Sequence, residues 1–196
     1  DYPQSSLLDD SLFRSAVNHQ RFFDFDKAVV AYKALATEAR FKASSHRHDA
    51  LYNAALISDN DQSYAQAIEL WKQYARDEKT PPDEARQALF RASLAVEKLG
   101  PPARAEQEQQ QFVSKFGKDP QALAQVVELQ ARIAKLQLQQ RNPIDATESL
   151  KKTAQLGAKL PAGSDGAEFA AEASFQLAER RLADLEKQRI SGSGKE

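Results

Sequence analysis

The chain has 196 residues, 41% hydrophobic and 28% charged, and its 27 basic and 28 acidic side chains leave a formal net charge of −1. That length suits one domain or one run of repeats with a continuous core, and so small a charge gives no whole-chain electrostatic case for nucleic acid or an anionic membrane. Cysteine is absent, which excludes disulfides, thiol catalysis and thiolate metal sites, and no apolar run approaches a membrane span, so no insertion by this segment is expected.

From the start of the chain, long stretches of Ala, Leu, Gln, Glu, Lys and Arg alternate with isolated prolines, and β-branched residues nowhere alternate as a strand requires. The pattern predicts helices over 7–21, 24–39, 46–59, 63–77, 83–98, 102–116, 120–140, 143–157 and 166–189. Pro3, Pro81-Pro82, Pro101-Pro102, Pro120, Pro143 and Pro161 stand at the expected boundaries, where the missing N–H costs nothing. Ser6, Asp24, Ser45, Ser63, Asp83 and Asp119 lie near predicted starts and are expected to cap free N–H groups. Residues 191–196, with two glycines and two serines, read as a flexible tail. Methionine is absent even from position 1, so the expectation is a processed or excised segment whose targeting signal lay upstream of Asp1.

A repeat underlies the helices. Leu12-Phe13-Arg14-Ser15-Ala16, Leu51-Tyr52-Asn53-Ala54-Ala55 and Leu89-Phe90-Arg91-Ala92-Ser93 share one pattern, at offsets of 39 and 38 residues. A second small residue follows the last of each five by twelve: Ala28, Ala67 and Ala105. Large side chains come four and seven residues later, as Tyr32 and Leu35 or Trp71 and Tyr74; the third copy has Gln109 and Phe112. A fainter fourth copy carries Ala134, Ala146 and Leu150, with Ala131 where the aromatic stands elsewhere. Small residues twelve apart let two antiparallel helices cross closely, and the larger ones fill the gap to the next pair. The copies divide the chain at about 6–44, 45–81, 82–120 and 121–161, a single repeat domain closed by a terminal helix, 166–189, that reads as solvating.

This spacing, with the aromatic four residues on and a closing proline, resembles the tetratricopeptide repeat. The family unit is about 34 residues, so the turns here are longer. Tyr2-Pro3-Gln4-Ser5, followed by Asp10-Ser11-Leu12-Phe13-Arg14-Ser15-Ala16, is similar to the lengthened repeats of bacterial envelope members, such as outer-membrane-assembly lipoproteins and the Tol-Pal coordinator. The resemblance implies an all-α, right-handed superhelix of antiparallel helix pairs, a non-catalytic scaffold for protein–protein interaction, and a periplasmic or outer-membrane-associated location. The glycine that the family carries in its first helix is Ala or Ser in every copy.

Motifs with chemical meaning are sparse. His46 and His48 are two apart, so on a helix they point roughly 200° apart and do not share a metal. Asp59-Asn60-Asp61 lacks the glycine and distal glutamate of a calcium loop and reads as a turn. The glutamines at 107, 109–111, 137, 139 and 140 read as a solvated face, with Gln109 partly solvated. No catalytic residue, metal or cofactor is expected.

The expected functional surface is the concave wall that the family builds from the first helix of each pair. It comprises Phe13, Arg14, Val17, Tyr52, Asn53, Leu56, Phe90, Arg91, Leu94 and Arg132, a ladder of rings with arginines between, suited to a peptide bearing acidic groups. The competing reading is that the rings pack neighbouring helices and the arginines solvate the wall. Two other functions stay open: an accessory repeat domain of a larger enzyme or regulator, and a glycan-binding module.

Overall fold

A computed structural model describes residues 7–192, with side chains for 7–188. Proline and polar breaks separate nine helices among these residues: α1 (Leu8–Arg21), α2 (Phe25–Thr37), α3 (Arg47–Asn60), α4 (Tyr64–Tyr74), α5 (Pro82–Leu99), α6 (Pro102–Phe116), α7 (Leu123–Gln139), α8 (Pro143–Gly157) and α9 (Ala167–Gly192). Single 3₁₀ turns precede α3 (Ala39–Phe41) and α7 (Pro120–Ala122), and no described residue lies in a strand. Tyr2-Pro3-Gln4-Ser5 and the expected cap Ser6 lie outside the described residues. The expected tail begins inside α9, at Ser191 and Gly192, and its remainder also lies outside them.

Three helix pairs are joined by one recurring turn. α1–α2, α3–α4 and α7–α8 are each linked by three residues, the middle one left-handed: Phe23 (φ 60°), Gln62 (φ 62°) and Arg141 (φ 61°). In each, the N–H after that residue reaches back five positions, Asp24 to His19, Ser63 to Ser58 and Asn142 to Gln137, at 2.8–2.9 Å. This is the Schellman closure of a helix C-terminus, here made without glycine. So short a link makes the paired helices antiparallel.

Most expected side-chain caps are not made. Asp24 and Ser63 stand at cap positions without bonding the first-turn N–H groups; Asp24 takes Lys27 at 2.8 Å and Ser63 donates to Asp61. The residue before α3 is His46, not Ser45, and Asp83 lies inside the first turn of α5. Asp119 does accept from the Gln121 N–H at 2.9 Å, and Asn142 caps α8 by accepting from Asp145.

The chain divides into two compact units at Leu99/Gly100, inside the expected third repeat, so that α5 belongs to the first and α6 to the second. In the first, helices pack in chain order from α1 to α5 around one core. Ala16, Ala28, Ala55 and Ala67, the small residues twelve apart, are all fully buried in it, with Tyr32, Leu35 and Trp71 filling the space between pairs. A polar link repeats at the same spacing: Tyr32 Oη donates to Gln20 at 2.8 Å, and Trp71 Nε1 donates to Asp59 at 3.2 Å.

In the second unit α6, α7, α8 and α9 pack in chain order, α9 also touching α7. Ala134 and Ala146 are buried, and Ser149 Oγ donates to Gln137 at 2.8 Å, again twelve residues apart. Gln107, Gln110, Gln111, Gln139 and Gln140 are exposed, as the solvated-face reading expects, but two glutamines are not. Gln109 is fully buried and Gln137 nearly so, the latter also donating to Glu106 at 2.8 Å. A buried amide is normally held by hydrogen bonds, and Gln137 has them on both its oxygen and its nitrogen. Nor is α9 simply solvating: it buries Ala173, while Phe175, Leu182 and Leu185 stand exposed.

Candidate functional site

An open cavity of about 610 Å³ in the first unit gathers side chains from α1, α3, α4 and α5. Phe13 enters from α1, and His48, Asp49, Tyr52 and Asn53 from successive turns of α3. α4 contributes Trp71 and Tyr74; α5 contributes Glu84, Gln87 and Arg91. Residues three and four apart share a helix face, so 49, 52 and 53, or 84, 87 and 91, are delivered together.

The floor is aromatic. Tyr52 lies edge-on to Trp71 at 5.6 Å and tilted against Tyr74 at 5.3 Å, and Trp71 meets Tyr74 at 6.2 Å. Trp71 and Tyr74 are buried by the core, whereas Tyr52 is 37% exposed and forms the rim. Arg91 places its guanidinium 5.3 Å from the Trp71 ring centre and 3.8 Å from the Asp59 carboxylate, which also holds the indole N–H. Each partner of Asp59 fixes the next, so the ring and the guanidinium are both oriented before any ligand arrives.

The Tyr74 hydroxyl donates to Glu84. Burial, then that carboxylate and the nearby charges of Tyr52 and Asp49, push its pKa well above the ordinary tyrosine value. Tyr32 is raised too, by burial, against a smaller opposing pull from Arg21. The sign follows from proton counting. Both phenols stay protonated in the folded state after they would ionise in the unfolded chain, so their stabilisation is complete below about pH 10. It is lost as pH rises towards the folded pKa values. Tyrosinate absorbance should therefore show a fraction that appears at higher pH in the folded protein than in urea, and Tyr74→Phe should shrink that fraction. A delayed fraction unchanged by Tyr74→Phe would contradict this.

The expected wall residues fare differently. Phe13, Tyr52, Asn53 and Arg91 line this cavity. Val17 and Leu56 pack against the core, Phe90 is buried, and Leu94 is half-buried. Arg14 is exposed and does not line it. Arg132 belongs to the second unit, where it bonds Glu128 at 2.9 Å and lies 5.9 Å from the Phe169 ring, beside a smaller cavity. Sequence reasoning passed over Asp49 and Glu84, which stand in the first turns of α3 and α5, where the helix dipole alone accounts for a carboxylate.

His46 and His48 point to different partners. His46 lies parallel to Phe13 at 4.4 Å with Nε2 at 2.6 Å from Asp10, tying α3 to the start of α1. His48 stacks on Tyr74 at 4.9 Å. Asp59, in the last turn of α3, and Asp61, just after it, both precede the left-handed Gln62. Among the described residues no group of three or more His, Cys, Asp or Glu is placed to hold a metal, and no helix is long and apolar enough to cross a membrane. No protein-family model matches the chain, and no curated protein matches it.

Proposed function

We propose that this chain is a non-catalytic interaction scaffold of the tetratricopeptide kind, serving a bacterial cell-envelope complex and binding a polypeptide partner on the wall formed by the first helices of its pairs. The observation that carries the reading is the open cavity in the first unit, walled by α1, α3 and α5 and floored by preset aromatic rings. An exposed ring seated on a rigid aromatic floor is what a polypeptide anchor requires, since burying it costs little further ordering. The recurring left-handed turn and the twelve-residue links support stacked helix pairs; a right-handed superhelix is the arrangement such pairs adopt in the family. The envelope setting rests on the resemblance of the lengthened repeats.

The test is affinity capture from an envelope extract with the wild-type protein, Tyr52→Ala and Gln87→Ala. Both side chains are exposed on the cavity rim, so circular dichroism should report folded proteins. The expected result is one partner captured by the wild type and lost by both variants, Tyr52→Ala weakening binding by about 2 kcal/mol or more. Folded variants that keep every partner would remove the wall from consideration.

A further inference from the structure

The charges around the cavity do not cancel. Among the described residues that line it, Arg91 is the one fixed cation, and Asp59 already stands against it at 3.8 Å while the Trp71 ring lies beneath it. Glu84 is bonded by the neutral Tyr74 hydroxyl. Among the described residues neither Asp49 nor Glu84 takes part in an ion pair. His48, also on the wall, lies 3.8 Å from Asp77, a carboxylate outside the cavity. Two carboxylates therefore face a ring-lined space with no cation of the fold's own.

We propose that this cavity takes a lysine or arginine side chain of a partner polypeptide, with the exposed Tyr52 ring as its wall and Asp49 and Glu84 as counter-charges. A cation over a ring face is drawn by the ring's quadrupole, more strongly where water is partly excluded, and the carboxylates add direct attraction. The fold already uses the same chemistry once, by seating Arg91 on Trp71. Burial is the first cause of the raised Tyr74 pKa, and the Glu84 and Asp49 carboxylates add to it, since both disfavour a phenolate beside them. At about 610 Å³ the space holds a long side chain and its flanking backbone. The arginines that suggested an acidic ligand do not serve one: Arg14 lies off the cavity and Arg91 is neutralised by Asp59. This inference rests on the scaffold reading and sets the charge of its partner.

Trp71 is the only tryptophan and lines the cavity, so its emission reports occupancy. The probes are blocked glycine–serine peptides of one length, carrying arginine, lysine, citrulline or glutamate at the centre. Arginine and lysine peptides should shift the emission saturably and bind roughly tenfold or more tighter than citrulline, with glutamate weaker still. Added salt should narrow that margin. Asp49→Asn, at a carboxylate with no ion-pair partner among the described residues, should reduce the preference, and the double variant with Glu84→Gln should abolish it while circular dichroism is unchanged. Equal binding of arginine and citrulline, a preference that survives both substitutions, or no saturable change with any peptide would overturn the proposal. If Tyr52→Ala still loses the captured partner in those cases, the scaffold reading stands and only the cationic anchor falls. If capture is independent of Tyr52, the scaffold reading itself fails.

Discussion

Trp71→Ala should cost about 3–5 kcal/mol of folding stability, the range for deleting a large aromatic from a packed core. The ring is 1% exposed, meets Tyr52 and Tyr74 edge-on, and carries Arg91 on its face. Its loss removes transfer free energy and leaves a space that Tyr52, Tyr74 and the α3–α4 crossing at Ala55 and Ala67 cannot fill without moving helices. A second cost follows from the indole N–H, which donates to Asp59 at 3.2 Å. Trp71→Phe isolates that part: most apolar contact is kept while the Asp59 carboxylate loses a donor, and the expected loss is about 1–2 kcal/mol. Urea unfolding followed by circular dichroism suits both variants, since neither retains tryptophan emission. A Trp71→Ala protein within about 1 kcal/mol of the wild type would mean that the ring lies on the core rather than in it.

The parts of this structure that depend on periodicity were legible, because burial forces a pattern on the chain. The helices start and stop within three residues of the places that proline and helix-forming composition indicate, and the alanine pairs are buried as close crossing demands. What escaped was information carried by a single atom. Gln20, Asp59 and Gln137 do one job, accepting a hydrogen bond from the residue twelve on, yet they differ in type and leave no repeated letter. Gln109 and Gln137 looked solvated because an amide is usually outside; only the facing helix decides otherwise. The left-handed turns were hidden for a related reason. Phe23, Gln62 and Arg141 occupy a conformation that favours glycine, and no glycine marks it.

The candidate site shows the same division. Its rings were read correctly as large side chains at helical spacing, but whether a ring faces core or solvent depends on where its helix seats. Phe90 is buried and Tyr52 forms a rim, although the two hold equivalent places in the repeat. Asp49 and Glu84 are more instructive. A carboxylate in a first turn is already explained by the helix dipole, so nothing in the sequence calls for a second role. Only the seating of α5 against α4 brings Glu84 to the Tyr74 hydroxyl.

The second large effect is expected in the other unit, at Gly157, the last residue of α8. A Cβ there would lie 2.0 Å from the Ala170 Cβ and 3.3 Å from its Cα. Carbon atoms settle at about 3.5–4.0 Å, and the obstructing methyl is fixed to the backbone of α9, so no flexible tip can swing aside. Two effects oppose each other in Gly157→Ala. Relief of backbone entropy in a helix favours alanine by roughly 0.5–1 kcal/mol, while forcing α8 and α9 apart costs roughly 1–3 kcal/mol. The clash is deep enough to win, so the variant should be destabilised, and Gly157→Val more so. Gly163 supplies a control, because it has open space but a φ of +76°, leaving only the conformational penalty. The decisive measurement is a double-mutant cycle with Ala170→Gly, read by urea unfolding and circular dichroism. Removing the opposing methyl should return most of the stability lost in Gly157→Ala, a coupling of about 1 kcal/mol or more. Additive effects at the two positions, or an alanine variant as stable as the wild type, would show that α8 and α9 do not approach closely enough to require glycine.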